Sequence, residues 1–170
     1  GWQDTSVPFH SERTPFNDHF RTPNMERLAK QGVKFTQAYA AAVCSPTRTS
    51  IMTGQNPIRH QVTNWTLNKN GETSGKTARL QAPVNWKRNG LQPDAITLPK
   101  LLQGAGYYTI HAGKAHWGAH DTPGSNPKNL GFDANIAGHA AGGPGGWYGK
   151  TNFGNYPDGT PKRPWGIPGL

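Results

Sequence analysis

Two segments of the chain repeat one order, in which a helix is followed by a short β-prone run. The predicted helices lie at 22–32 and 97–106, and each begins at a threonine that can cap it and ends at a glycine. The β-prone runs follow at 33–39 and 107–112. Helices that alternate with strands are typical of α/β folds with a parallel sheet. The sequence therefore predicts an α/β fold with short strands in those two runs.

The only cysteine of the chain, Cys44, stands beside a third predicted helix. Ser45 can cap this helix, Pro46 suits its first position, and Gly54 is a natural left-handed stop. Arg48 lies one turn further in. A helix N-terminus carries partial positive charge and free N–H groups, and Arg48 adds a full charge. A nucleophile at Cys44 would therefore face an anionic substrate.

Two further polar residues, Lys114 and His116, follow the second β-prone run. In parallel α/β folds, ligand-binding groups gather beyond the carboxyl ends of the strands. Cys44 follows the first β-prone run in the same way. We therefore expect Cys44, Lys114 and His116 to meet on one rim of the sheet.

Glycine and proline are so frequent that much of the chain is predicted to be irregular. The 170 residues include 22 glycines and 15 prolines, and hydrophobic residues make up 33% of them. Average globular chains are about 45–50% apolar. From residue 123 onward no helical or strand pattern is visible. We expect a loop-rich fold with few regular elements.

The charge balance favours anionic partners. Lysine and arginine total 18 against 9 acidic residues, which gives a net charge of +9. These cations are scattered rather than clustered, so no nucleic-acid-binding arm is predicted. No apolar run approaches the roughly 18 residues that a membrane-spanning helix needs. A lone cysteine excludes an internal disulfide framework and a cysteine-based zinc site.

Several motifs, in order and spacing over nearly the whole chain, resemble the type I sulfatase family of the alkaline phosphatase superfamily. The segment 44–48, followed by Thr53-Gly54, resembles the family signature C-x-P-x-R with its downstream T-G. The segment 113–118 resembles G-K-x-H-x-G, and 131–133 resembles the G-F-D turn. The segments 22–35 and 97–107 are similar to the family regions that precede the two signatures. One such motif is weak, but the ordered set is specific.

The resemblance implies a partial sulfatase or alkaline-phosphatase-like sandwich with a mostly parallel sheet. Residues 1–170 would form an incomplete N-terminal catalytic domain that is truncated at both ends. The aspartates that hold calcium in the family precede the Gly1-Trp2 opening, and further ligands follow downstream. Cys44 would be the one calcium ligand in this chain. We therefore expect residues 1–170 alone to bind calcium poorly and to turn over little or no substrate.

The family's chemistry implies a role for each candidate residue. Cys44 would be oxidised to formylglycine, whose hydrated form is nucleophile and calcium ligand. Arg48 would hold the hydrated aldehyde, and Lys114 would contact sulfate oxygens. His116 would hydrogen-bond the hydrated aldehyde or the substrate oxygen. His139, by a looser match, would contact substrate.

The implied activity is hydrolysis of a sulfate ester on a small molecule or glycan, most plausibly a carbohydrate. The implied partner is a formylglycine-generating enzyme, and the implied location is periplasmic, secreted or lysosomal. Two alternatives stay open at this point. One is a phosphomonoester or phosphonate hydrolase of the same superfamily. The other is a basic, non-catalytic polyanion-binding module, which predicts an unmodified Cys44 and salt-dependent binding.

Overall fold

The computed structural model describes residues 2–72 and 81–169. The chain forms two compact units, Gly1–Ala40 and Ala41–Leu170. The N-terminal unit contains helices α1 (Pro15–His19) and α2 (Pro23–Gln31). The larger unit contains α3 (Cys44–Thr53), α4 (Pro57–His60), α5 (Leu98–Gly104), β1 (Ile110–Ala112) and β2 (Ala134–Ile136). Short 3-10 helices lie at Pro123–Ser125, Pro127–Leu130 and Gly149–Gly154.

In the N-terminal unit, side-chain hydrogen bonds hold the start of α2 to the residues before α1. The hydroxyl of Ser6 donates to Oε1 of Glu26 at 2.6 Å, and the Ser6 backbone N–H donates to Oγ1 of Thr22 at 3.0 Å. The predicted bounds of α2 are confirmed, with Thr22 before the helix and Gly32 after it. The predicted strand at 33–39 is wrong, because these residues have irregular backbone.

Helix α3 begins two residues earlier than predicted. Val43 takes the N-cap position, so Cys44 lies inside the first turn rather than ahead of the helix. Ser45 does not cap the helix because its side chain is buried, with its hydroxyl 3.4 Å from Oγ1 of Thr66. The predicted stop is confirmed, since Gly54 adopts the left-handed conformation with φ of 66°.

Strands β1 and β2 form a parallel pair, in which Ile110 lies opposite Ala134 and Ala112 opposite Ile136. This pairing confirms the expected α/β class with a parallel sheet. Asp133 fastens the start of β2 to the segment before β1 and to α5. Its carboxylate accepts from the Thr109 N–H at 2.6 Å and from Nε2 of Gln103 at 2.8 Å. The hydrogen bonds from Thr109 and Gln103 lower the pKa of this carboxyl.

The core of the larger unit lies between α3 and the segment that follows β1. It contains Met52, Leu91, Ala115, Trp117 and Leu130, all at most 5% exposed. The ring of Phe132 stacks on the indole of Trp117 with centroids 5.7 Å apart. Burial of these apolar groups holds the segment 113–118 against α3.

Glycines allow three backbone segments to cross closely beside this core. The Leu91 N–H donates to the Trp117 carbonyl at 2.8 Å. A Cβ placed on Gly124 would collide with the Leu91 carbonyl oxygen, and one on Gly118 would collide with the backbone of Gly124. Only glycine fits at these two crossings.

Candidate active site

The structure brings Cys44, Lys114 and His116 together on one cleft of about 530 Å³. Cys44 comes from the first turn of α3, and the other two follow β1. The remaining walls are formed by Trp65, Leu67, Gly142, Gly143, Pro144 and Trp165. The two sequence motifs therefore share one cavity although about 70 positions separate them in the chain.

Cys44 is a half-buried free thiol at the N-terminal end of the ten-residue helix α3. Helix N-termini stabilise negative charge through their free N–H groups and dipole. Arg48 follows one turn later. Burial lowers the pKa of Arg48, and its interaction with Cys44 acts in the opposite direction. Because an arginine pKa starts far above neutrality, the guanidinium keeps its charge beside the cysteine.

The guanidinium of Arg48 is directed at the backbone of the segment that carries Lys114 and His116. Its Nε donates to the Ala115 carbonyl at 2.7 Å, and its Nη2 donates to the Lys114 carbonyl. The same group lies over the Trp117 ring, 5.5 Å from the centroid. Arg48 thus ties α3 to the Lys114 segment and fixes its path. Its expected contact with a hydrated aldehyde stays a prediction.

His111 on β1, which belongs to no motif, also contacts the Lys114 carbonyl. Its Nε2 lies 3.2 Å from the Lys114 carbonyl oxygen, and its Nδ1 lies 3.0 Å from Oδ1 of Asn135 on β2. The ring also packs edge-on against Trp117. Sequence reasoning missed this residue, although its position at the centre of a strand was a signal that it faces inward.

The side chains of Lys114 and His116 converge on Gly142. A Cβ placed on Gly142 would lie 3.1 Å from Nδ1 of His116 and 3.5 Å from Nζ of Lys114. A larger residue would displace one of the two groups. Gly142 was not singled out from the sequence, because the Gly-rich segment around it carries no periodic signal.

His116 is 4% exposed, and neither ring nitrogen has a hydrogen-bond partner within the described part of the chain. Burial first, then the charges of Lys114 and Arg48, lowers its pKa to about 4. The imidazole is therefore neutral at pH 7, with one nitrogen able to donate and the other to accept. Its backbone has φ of 57°, an uncommon conformation for a residue other than glycine.

His139 lies next to this pair but not on the Cys44 cleft. Its backbone carbonyl accepts from the His116 N–H at 3.0 Å, so it supports the turn that carries His116. Its side chain is buried and lines an adjoining cleft together with Lys114. Burial lowers its pKa as well. The contact between His139 and substrate stays a prediction. If it forms, it involves the part of the substrate that lies in the adjoining cleft, which His139 lines.

The residues around Cys44 do not by themselves fit a calcium ion. Calcium takes about six to eight oxygen ligands, mainly carboxylates and carbonyls. No aspartate or glutamate lines the Cys44 cleft. Residues 2–72 and 81–169 also contain no group of three histidine, cysteine, aspartate or glutamate side chains that could hold a metal ion.

Within the same residues, no helix is long and apolar enough to cross a membrane.

The sulfatase family model matches residues 7–159. The chain has an α/β fold and carries Cys44, Lys114 and His116 on one cleft. With the family match over residues 7–159, it belongs to the sulfatase family.

Curated relatives share this assignment. An uncharacterized sulfatase of Schizosaccharomyces pombe is 36% identical over 138 residues, which cover 81% of this chain and 22% of the relative. Pig N-acetylgalactosamine-6-sulfatase is 33% identical over 159 residues, which cover 92% of this chain and 25% of the relative. Human steryl-sulfatase is 39% identical over 103 residues, or 60% and 16% of the two chains.

A solved structure is similar in fold. The crystal structure of Ps i-CgsB in complex with k-i-k-neocarrahexaose superposes with a TM-score of 0.50 at 30% identity. The match covers 77% of this chain and 27% of that one. The chain spans between 16% and 27% of the length of the relatives in these comparisons.

Proposed function

We propose that the protein carrying this chain hydrolyses sulfate esters of carbohydrates through a formylglycine made from Cys44. The observation that carries the proposal is the convergence of Cys44, Lys114 and His116 on one cleft. The cleft joins a modifiable cysteine to a cation and a neutral imidazole, which suits attack on an anionic ester. Membership of the sulfatase family supports sulfur as the reacting centre.

The proposed reaction uses two hydroxyls of the hydrated aldehyde. One attacks the sulfur, the bond from sulfur to the substrate oxygen breaks, and the alcohol leaves with a proton. The second hydroxyl then loses its proton, the aldehyde C=O re-forms, and sulfate leaves. Water hydrates the aldehyde for the next cycle. A single serine hydroxyl lacks this exit, because water would have to attack the sulfate ester itself.

Each nearby side chain has a defined task in this scheme. Lys114 neutralises sulfate oxygens. His116, neutral at pH 7, hydrogen-bonds the attacking hydroxyl or the substrate oxygen. Arg48 holds the backbone that carries both residues and adds positive charge beside the nucleophile.

The remaining parts of the proposal come from the family. A formylglycine-generating enzyme would oxidise Cys44 during maturation. Calcium would be the metal, and its carboxylate ligands would have to come from outside the described residues. The carbohydrate substrate is supported by the N-acetylgalactosamine-6-sulfatase relative and by the oligosaccharide complex of Ps i-CgsB. Such substrates support a location in the periplasm, a lysosome or the extracellular space as part of the proposal.

The decisive experiment is peptide mass spectrometry at position 44 of the protein in its full natural length. It would be produced with a formylglycine-generating enzyme, and we expect conversion of the cysteine to an aldehyde. An intact thiol under these conditions would contradict the proposal and favour a polyanion-binding module.

Turnover assays then define the ester. We expect hydrolysis of 4-nitrophenyl sulfate and of two glycan probes, k-i-k-neocarrahexaose and a tetrasaccharide of chondroitin 6-sulfate. The Cys44→Ala variant should be inactive on all three. Faster turnover of 4-nitrophenyl phosphate than of the sulfate would instead assign the protein to the phosphate-ester hydrolases of the superfamily.

A further inference from the structure

A second cleft of about 310 Å³ adjoins the Cys44 cleft. The two cavities share one wall, formed by Lys114, Gly142, Gly143 and Pro144. A substrate whose sulfate contacts Lys114 in the first cavity can therefore extend its remaining rings over this wall into the second. The volume lies at the lower end of the roughly 300–1,000 Å³ that is typical of ligand pockets.

The lining of the second cleft combines a flat aromatic wall with unused backbone donors. Trp147 is 78% exposed and lines the cleft together with Phe153. The backbone N–H groups of Gly142, Gly143 and Gly146 donate to no acceptor among the described residues. Aromatic rings pack against the C–H face of a sugar, and free N–H groups bind its hydroxyls.

The loop that carries Trp147 is fastened to the wall of the first cleft. The Gly145 N–H donates to the carbonyl of Trp165 at 2.7 Å, and Trp165 lines the Cys44 cleft. Gly154 packs closely on Gly145 at the other end of the loop, where a Cβ would lie 2.7 Å from the Gly145 Cα. The base of the loop that carries Trp147 is thus fixed beside the Cys44 cleft.

We propose that this second cleft binds the saccharide ring next to the sulfated one, with Trp147 as the stacking residue. The inference rests on the proposed function, because it takes the sulfate to lie at Lys114. The cleft carries a single formal positive charge, from Lys114, and no acidic side chain. A saccharide ring with an apolar face and outward hydroxyls matches this lining.

The test measures binding rather than turnover, so that it does not depend on formylglycine. Calorimetric titration would use the protein in its full natural length with Cys44→Ala. The ligands are the two glycan probes, sodium sulfate, and estrone sulfate as a sulfate ester with an apolar aglycone. Adding Trp147→Ala should weaken binding of at least one glycan about tenfold, the effect of losing one aromatic contact. Binding of inorganic sulfate should be unchanged. The matched control is Tyr148→Ala, because Tyr148 is 76% exposed beside Trp147 but lines neither cleft.

Three outcomes would overturn the inference: equal effects of Trp147→Ala and Tyr148→Ala, failure of both glycans to bind, or an effect confined to estrone sulfate. The last result would assign the cleft to an apolar aglycone instead. The two proposals fail separately. A Lys114→Ala variant that no longer binds inorganic sulfate supports the sulfate site and leaves the second cleft to be judged by Trp147→Ala. If a glycan loses affinity in Trp147→Ala but is not displaced by inorganic sulfate, the second cleft is supported and the position proposed for the sulfate is contradicted.

Discussion

Arg48 shows how one side chain connects the two motifs of the site. Its guanidinium donates to two consecutive backbone carbonyls and lies over the Trp117 ring. These contacts require the planar, forked donor that arginine supplies and lysine lacks. The motif position was visible in the sequence, but its partners were not. Backbone carbonyls carry no sequence signal, and these lie 66 and 67 positions away.

The first prediction concerns this fork. Arg48→Lys keeps the charge but loses the paired geometry, and it leaves a buried carbonyl without a donor. We expect the free energy of unfolding in urea to fall by about 1–3 kcal/mol. Activity on 4-nitrophenyl sulfate should fall about tenfold or more, since the Lys114 segment shifts. Arg59→Lys, at an exposed position in α4, is the control and should change neither quantity. Wild-type stability of Arg48→Lys would contradict the structural role.

The second prediction concerns pH. The pKa of His116 in the folded protein is about 4, below its ordinary value of 6.5. Between pH 6.5 and 4, His116 is protonated in the unfolded chain but stays neutral in the native state. Its contribution to the free energy of unfolding is therefore complete above pH 6.5 and is lost as the pH falls towards 4. This one residue accounts for a loss of about 3 kcal/mol over that window. Burial lowers the pKa of His60, His120 and His139 in the same direction.

Urea unfolding at pH 7, 5.5 and 4.5 measures this dependence. His116→Asn should flatten the pH profile, because asparagine does not titrate and tolerates a positive φ. His19→Asn, in an exposed position, is the control. A profile of His116→Asn that runs parallel to the wild type would show that His116 titrates normally.

At the scale of elements, the close backbone crossings determine which substitutions the larger unit tolerates. The third prediction compares two glycine-to-alanine changes. Gly124→Ala places a methyl group against the Leu91 carbonyl and should cost several kcal/mol or prevent folding. Gly104→Ala, at the end of α5 with open space around it, should be neutral or stabilise by about 0.5–1 kcal/mol. Thermal unfolding distinguishes them, and equal melting temperatures would contradict the crossing.

Helices were predicted well because their signals are local. The bounds of α2, the end of α3 and the start of α5 follow from threonine, proline and glycine within a few positions, whereas α3 begins two residues before its predicted start. α5 ends two residues before Gly106, with Ala105 in the cap position. Strands were predicted less well, because a strand needs a partner. The run 33–39 has β-prone residues, yet Tyr39 is 92% exposed and no pairing forms there.

Strand β2 was missed for the same physical reason. Ala134–Ile136 is too short to show an alternating pattern, and its pairing depends on β1, more than twenty positions earlier. The candidate site was predictable where its motifs lie in or next to regular elements, as with Cys44 in α3 and with Lys114 and His116 after β1. The parts supplied by irregular segments, Gly142, Trp65 and Trp165, were not predictable, since only the folded chain brings them to the cleft.

At the scale of the whole molecule, the fourth prediction follows from the lining of the Cys44 cleft, which contains no acidic side chain among the described residues. The 170-residue chain alone should show no calcium-dependent turnover of 4-nitrophenyl sulfate, because its described residues offer no acidic cluster near Cys44. The measurement is turnover with and without added calcium, after aldehyde formation at position 44 has been verified. Calcium-dependent activity of this chain would contradict the expectation.

The fifth prediction follows from the net charge of +9. Long-range attraction should speed the encounter with sulfated glycans, and salt should screen it over a Debye length of about 10 Å at 0.1 M. We expect the rate of association between the 170-residue chain and k-i-k-neocarrahexaose to fall as sodium chloride rises from 0.05 to about 0.5 M. Sodium sulfate at equal ionic strength should lower this rate further, because sulfate also competes at Lys114. A salt-independent association rate would show that charge does not steer the encounter.

His116 combines three features that a chain selected for folding alone would avoid: a left-handed backbone, burial, and two ring nitrogens that have no partner among the described residues. Laboratory evolution that rewards only heat resistance should therefore replace this histidine early, with glycine or asparagine as the favoured outcomes. Selection for catalysis in the same library should keep it. The position where the two selections diverge would mark a residue that the site keeps for its chemistry and not for folding.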